Sequence, residues 1–319
     1  VLGSRGLGDV YKRQVVYGLG EANRGINKRG YQYISNNSDN PHHHEDVYSL
    51  YAAHNFIIVS GEQTFGLYFD YPSTLTFDVG YTRSDELHIF CDRADLDLYV
   101  ITGKNPYDIT KQFRKMIGRS YIAPKFAFGF GQSRWGYKTP EDFVTVAEKY
   151  RENHIPLDMV YMDIDYMDNY KDFTVNEEFR DFPQYVENLK KDHIRLVPII
   201  DAGVKIEEGY DVYEEGVEKN YFCKRQDGSD FVAAVWPGYT HFPDVLNPDA
   251  RKWFGEKYKR LTDAGIEGFW NDMNEPAIFF TPEGVKDVKE AMKAFIDKEE
   301  TVQDVWAIGA VSYTHLTLP

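Results

Sequence analysis

The chain has 319 residues, 42% hydrophobic and 16% aromatic, enough for one large domain or two ordinary ones with real cores. Its 36 basic against 51 acidic residues leave a net charge of -15, which repels nucleic acid and anionic membrane surfaces and suits a neutral small molecule better. No run approaches the roughly eighteen apolar residues of a membrane span, and Cys91 and Cys223 lie far apart without metal-ligand spacing, so a reducing, cytoplasmic setting is the default expectation.

Residues 1–14, VLGSRGLGDVYKRQ, carry no amphipathic period and read as a non-native leader, as 311–319, VSYTHLTLP, read as a non-native tail. On that reading the gene is cut on both sides, and a missing signal peptide proves little. Residues 15–118 are expected to form part of a β-sandwich. From Asn55 to Ile101 short alternating runs recur at 56–59, 65–69, 75–79, 87–90 and 95–101, separated by turn formers such as Ser60-Gly61 and Arg83-Ser84-Asp85. A short helix at 106–117 leads out of them.

After Pro124 buried strands alternate with helices, the grammar of a parallel α/β domain, here 119–310 with an insertion near 204–247. Strands are expected at 126–133, 157–163, 195–201 and 268–272. Thr139 is the candidate N-cap of one helix, with Pro140 at its first position, and Asn247 with Pro248 opens another in which Phe254, Tyr258 and Leu261 share a face. Further helices are expected near 184–193 and at 284–296. The last three strands end in Asp163, Asp201 and Asp272, and strand-end side chains converge on one mouth in a β/α barrel. An open doubly wound sheet for a dinucleotide or phosphate would need a glycine-rich turn entering a helix; neither GxGxxG nor GxxxxGK occurs, and no cofactor is implied.

Strand-end acids interleaved with Trp135, Trp236 and Trp270 describe a carbohydrate site in general terms, because sugars offer hydroxyls to carboxylates and C–H faces to rings. A single such aspartate is more often a helix cap or turn residue. The run GFWNDMNEP at 268–276 resembles the nucleophile segment of glycoside hydrolase family thirty-one, and GQSRWGY at 131–137, LDMVYMDIDYMDNYKDFTVN at 157–176, PIIDAG at 198–203 and VWPGYTHFPDVLNP at 235–248 resemble it in the same order, as does the GLGE turn at 18–21. The resemblance implies an N-terminal antiparallel β-sandwich followed by the first half of a (β/α)8 barrel. It also implies a retaining, exo-acting α-glucosidase that removes nonreducing-end glucose from a small α-glucoside or oligosaccharide.

On matching positions it implies that Asp272 is the nucleophile and that Asp163 binds hydroxyls of the terminal sugar. Ile164, Trp135, Ile199, Trp236, Trp270 and Met273 would line that subsite, and Asp39, in NSDNP at 37–41, would add a contact although the tryptophan usual just before it is missing. A retaining glycosidase also needs a second carboxyl about 5–5.5 Å from the first to protonate the leaving oxygen. Glu275 follows the nucleophile too closely to reach the opposite side of the bond and reads as an orienting partner. The family's general acid/base is an aspartate on a later strand, and 281–319 contain no counterpart. The chain as written is therefore expected to lack turnover and, with half a barrel, to expose apolar surface. An α-xylosidase or other α-glycosidase of the family, or a noncatalytic carbohydrate-binding relative, is the alternative; the last predicts a replaced nucleophile. PHHHED at 41–46 reads as a solvated loop and not a metal site, and the acidic pairs 207–208 and 214–215 read as solvated faces. The oligomeric state is not readable.

Overall fold

The computed structural model describes residues 14–290 except 38–42, 49, 72, 93–95, 275, 283, 285, 286 and 289. Asp39, Glu275, residues 1–13, the tail at 311–319 and most of the helix expected at 284–296 lie outside the described residues. The chain divides between Tyr121 and Ile122 into two units.

The first unit is built from antiparallel strands. β1 (Val15–Gly20), β3 (Ala53–Ser60), β4 (Phe65–Asp70) and β7 (Asp97–Thr102) form one sheet in the order β1-β3-β4-β7. The other sheet, β2-β5-β6, joins β2 (Tyr31–Ser35), β5 (Leu75–Val79) and β6 (Leu87–Cys91). Period-two alternation divides β3 between two cores. Ile57 and Val59 pack with Phe69, Leu75, Phe77 and Val79, while Ile58 and Phe56 turn toward α1 (Pro106–Ile117) and meet Ile109 and Phe113. Phe56 and Phe113 stack with ring centroids 3.9 Å apart. Gly66 lets the helix come this close, since a Cβ there would lie 2.5 Å from Ile109 Cγ2. The helix spans the residues its apolar spacing predicts, with Asn105 accepting the Asp108 N–H as N-cap.

The second unit carries a parallel sheet in the order β14-β10-β9-β8. Its strands are β8 (Gly131–Gln132), β9 (Met159–Met162), β10 (Arg195–Asp201) and β14 (Trp270–Asp272), neighbours in chain order as in a half-barrel. Between them run α2 (Pro140–Glu152), α3 (Phe182–Lys191), α5 (Pro248–Lys257) and the short α6 (Lys259–Thr262). Thr139 forms a full capping box with Asp142 at the start of α2, and the Asn247 side chain accepts the Asp249 N–H ahead of α5. Phe143, Val186, Leu189, Leu196, Ile200, Phe254 and Leu261 belong to one buried cluster that fixes the helices to the sheet. The insertion holds α4 (Asp211–Glu218) and a small antiparallel sheet, β11-β13-β12, made of β11 (Val204–Lys205), β12 (Ala233–Val235) and β13 (Gly238–His241).

Three expectations fail. The strand at 126–133 shrinks to Gly131 and Gln132, and Lys125–Phe128 coil into a 3-10 turn. The Asp158 side chain accepts the Phe130 N–H at 3.2 Å, and the Asp158 and Met159 N–H groups both donate to Phe130 O, so pairing with β9 begins only beyond this clasp. Glu207 and Glu215 are not plain solvated faces. Glu207 binds Lys171 at 2.9 Å and Lys205 at 2.8 Å, and Glu215 binds Lys219 and Lys257. These partners pull each carboxyl down to about 2. The helix expected to share Phe254, Tyr258 and Leu261 breaks at Tyr258 into α5 and α6, although all three side chains stay buried.

Candidate functional site

Register decides which side chains can meet. On the parallel pair β10 and β14, Ile199 lies opposite Trp270 and Asp201 opposite Asp272; on β9, Tyr161 lies opposite Val197. Side chains alternate faces along a strand, so Tyr161, Val197, Ile199, Asp201, Trp270 and Asp272 share one face, and Asp163 continues it just past β9. The Tyr161 and Trp270 rings meet edge-on across that face, 6.2 Å between centroids. Gly131 keeps β8 clear of it, because a Cβ there would stand 2.7 Å from Tyr161 Cε2. The opposite face is dry packing against the helices, where the Asn271 side chain accepts the Tyr258 hydroxyl.

The strand-end acids are fixed in the same local way. Asp163 Oδ1 accepts the N–H of Ile164, and Asp272 Oδ1 that of Met273, each at 2.8 Å. The chain turns sharply after both. Ile164–Tyr166 form a single 3-10 turn, and Met273 takes a left-handed φ of 57°, a costly conformation for a side chain of its size. Burial lifts the Asp163 carboxyl to about 6; the Ile164 N–H opposes that rise, and the charges of Asp165 and Asp272 add to it. Asp163 and Asp272 are thus close enough to feel one another. Asp201 feels both, and burial holds it well above the usual carboxylate range together with Asp172, Asp272 and Asp163.

The tryptophans come from separate segments. Trp135 follows β8 and Trp236 sits at the β12–β13 turn, their rings 6.2 Å apart and tilted by 35°. Trp236 also meets Phe279 edge-on at 4.9 Å. Phe279 belongs to the segment after Asp272, which is tied to the insertion by Ala234 N–H donating to Phe280 O at 2.8 Å and Phe279 N–H to Ala234 O at 3.0 Å. The segment following Asp272 and the turn bearing Trp236 are therefore one mechanical piece. Ile164 and Ile199 are buried, whereas Trp135, Trp236 and Trp270 are partly open with the indole N–H groups of Trp135 and Trp270 buried and unpaired among the described residues. Apolar ring faces beside carboxylates can seat a pyranose by its C–H face while the acids take its hydroxyls.

Sequence reasoning passed over Tyr161, Phe279 and Asp172. Tyr161 was within reach of it, standing two residues before Asp163 and hence on the same face. Asp172 was not, since only tertiary structure brings its Oδ1 to the Asp201 N–H at 3.1 Å.

Residues 120–317 match the family model for the glycosyl hydrolases family 31 TIM-barrel domain, and residues 9–78 that for the glycosyl hydrolase 31 N-terminal galactose mutarotase-like domain. The chain is 40% identical over 266 residues to Alpha-glucosidase 2 of Bacillus thermoamyloliquefaciens, covering 82% of this chain and 34% of that protein. It is 35% identical over 208 residues to Alpha-xylosidase 1 of Arabidopsis thaliana, covering 63% and 22%. The glucosidase II alpha subunit with DNJ bound superposes with a TM-score of 0.74 at 27% identity, covering 86% of this chain and 33% of that one. The chain spans 22% to 40% of the length of such curated relatives.

Proposed function

The chain belongs to glycosyl hydrolase family 31, and we propose that the protein it represents is a retaining, exo-acting α-glucosidase with Asp272 as nucleophile. The carrying observation is that Asp272 ends β14 in register with Asp201, on the sheet face that also presents Trp270, and within electrostatic reach of Asp163. In the first step Asp272 attacks C1 of the terminal glucose. The C1–carboxylate bond forms, the bond to the leaving oxygen breaks, and a second carboxyl supplies that oxygen's proton; water then hydrolyses the glycosyl-aspartate with the same group as base. The Met273 N–H on Oδ1 orients the attacking carboxylate.

Asp163 binds sugar hydroxyls, with Ile164, Ile199, Trp135, Trp236, Trp270 and Met273 as the lining. Its hydroxyl-accepting form prevails above about 6, so weak binding on the acid side is expected. Glu275 as orienting residue and Asp39 as a further contact stay part of this reading on sequence grounds. No counterpart of the family's acid/base is found at 281–319, and the 319-residue chain alone should not turn over p-nitrophenyl α-glucoside.

The decisive test uses a longer protein carrying this segment and 5-fluoro-α-glucosyl fluoride, whose fluoride leaves without protonation. Peptide mass mapping should find the adduct on Asp272, and Asp272→Asn should lower turnover by at least about 10⁴-fold. An adduct on another carboxylate would sink the assignment. The likeness to an α-xylosidase makes α-xyloside cleavage the second reading; comparing kcat/KM for the glucoside and the xyloside separates the two. Retention of Asp272 speaks against a noncatalytic relative.

A further inference from the structure

Carboxyls crowd the strand ends of the second unit, yet the proposed chemistry uses only Asp272 and Asp163. Asp201 and Asp172 are left over. Asp201 is 4% exposed and Asp172 fully buried, and Asp172 Oδ1 accepts the Asp201 N–H at 3.1 Å. Asp172 Oδ2 and both side-chain oxygens of Asp201 are buried without a hydrogen-bond partner among the described residues. The loop after β9 holds Asp172 in place, because the Tyr210 hydroxyl donates to Asp172 O at 2.8 Å and neighbouring Lys171 pairs with Asp168 at 2.8 Å and Glu207 at 2.9 Å.

An orphaned buried oxygen costs as much as a lost hydrogen bond, and two carboxylates side by side out of water cannot both ionise cheaply. One proton between them relieves the charge repulsion and turns two of the three orphaned oxygens into a donor and its acceptor, as in other carboxyl dyads. Resting on Asp272 as the nucleophile, we propose that Asp172 and Asp201 share a proton and act together as positioning residues for Asp272. The O–H···O bond between them fixes the end of β10 beside the nucleophile. Carrying one negative charge fewer than two carboxylates would, the pair leaves Asp272 to serve as the site's anion.

The surroundings agree. The groups facing the pair are Asp163 past β9, Asp272 on β14, and the phenols of Tyr166, Tyr210 and Tyr258, which burial keeps neutral. Burial raises Asp172 against the pull of the Asp201 N–H, and burial together with Asp172, Asp272 and Asp163 raises Asp201.

Carboxyls protonated in the folded chain and ionised in the unfolded one stabilise at low pH, and the stabilisation is lost as pH rises through their folded values. Thermal melts of the longer protein at about pH 5 and about pH 9 read this directly. The unsubstituted chain should lose more of its Tm on going to the higher pH than Asp201→Asn or Asp172→Asn does, and each variant should be the more stable at the alkaline end. Variants destabilised equally at both ends would overturn the shared proton. In the longer protein, Asp201→Ala should slow labelling by 5-fluoro-α-glucosyl fluoride by at least about tenfold, and Asp201→Asn, which keeps a neutral donor, should recover most of that loss. If Asn is as slow as Ala, the positioning role falls. Absence of any adduct on Asp272 in the unsubstituted protein would overturn the nucleophile assignment and this positioning role with it, whereas the melts test the shared proton by itself.

Discussion

Asp78 in the sandwich and Asp201 in the half-barrel are the same residue type at nearly the same exposure, 1% and 4%, and they end in opposite states. Asp78 Oδ1 accepts the N–H groups of Tyr81 at 2.9 Å and Thr82 at 3.1 Å, and its Oδ2 takes the Thr82 hydroxyl and the Gln32 amide. Burial pushes this carboxyl up, but the bonds from Thr82, Tyr81 and Gln32 outweigh it and hold Asp78 below the usual range. The Asp201 carboxyl receives no N–H and no hydroxyl among the described residues and goes the other way. The difference lies in the path of the chain beyond each strand. After Asp78 the chain doubles back through Gly80, at φ 73°, and returns its own donors to the carboxylate; after Asp201 it runs on to the insertion. A buried acid satisfied by its own turn is architecture, and one left open where other strand-end acids gather is material for chemistry.

The largest effect that could break this contrast is the loss of Asp78. Asp78→Ala takes the acceptor from two backbone N–H groups and a hydroxyl of the turn at Tyr81 and Thr82, and should cost about 3 kcal/mol. All five tryptophans lie beyond residue 121, so tryptophan fluorescence follows the second unit and far-ultraviolet circular dichroism adds the first. Urea unfolding should show the loss by circular dichroism while the fluorescence midpoint stays in place. A cost under about 1 kcal/mol would mean that water replaces the carboxylate and that Asp78 was never architectural.

Legibility in the sequence follows the same divide. The sandwich strands and α1 could be read because period-two runs, turn formers and an N-cap are local signals, and β10 because RLVPIID is an unbroken apolar run closed by an acid. The strand expected at 126–133 misled for a physical reason. Alternating Phe126, Phe128 and Phe130 look like a strand, but Phe128 and Phe130 are 75% and 50% exposed, and the clasp of Asp158 on the Phe130 N–H comes from 28 positions away. That Asp272 and Asp163 close their strands was legible through motif and strand position. The Asp172–Asp201 contact was not, because a loop packed against a strand end leaves no period in the sequence.

The second effect sets the two units against each other in pH. Asp78, held low, contributes stability above its unfolded value, and that contribution is lost as pH falls through its folded value. Asp163, raised to about 6, behaves oppositely. Its contribution is complete below an unfolded value of about 3.9 and is lost as pH rises through about 6, a swing of about 3 kcal/mol. Fluorescence-monitored unfolding should therefore weaken between those values, and Asp163→Asn should flatten the slope. An unchanged slope in that variant would move the source to other acids of the cluster.

The smallest effect asks whether the contrast belongs to the units or to the local turn. The half-barrel has a satisfied carboxylate of its own, Asp142, which accepts the N–H groups of Lys138 at 2.8 Å and Thr139 at 2.9 Å and the Thr139 hydroxyl at 3.1 Å. The Thr139 N–H leads in holding Asp142 below its usual range, against modest burial. Thr139→Ala removes the hydroxyl half of this capping box and leaves both backbone donors to Asp142 intact. The expected cost is about 1 kcal/mol, seen as a lowered fluorescence midpoint. Because the two N–H bonds persist, Asp142 should keep its depressed titration in a two-dimensional NMR pH series. A return of Asp142 to ordinary carboxylate behaviour would show that hydroxyl donors, and not the turn's backbone, separate satisfied acids from open ones, and Thr82 would then be the residue to remove in the sandwich.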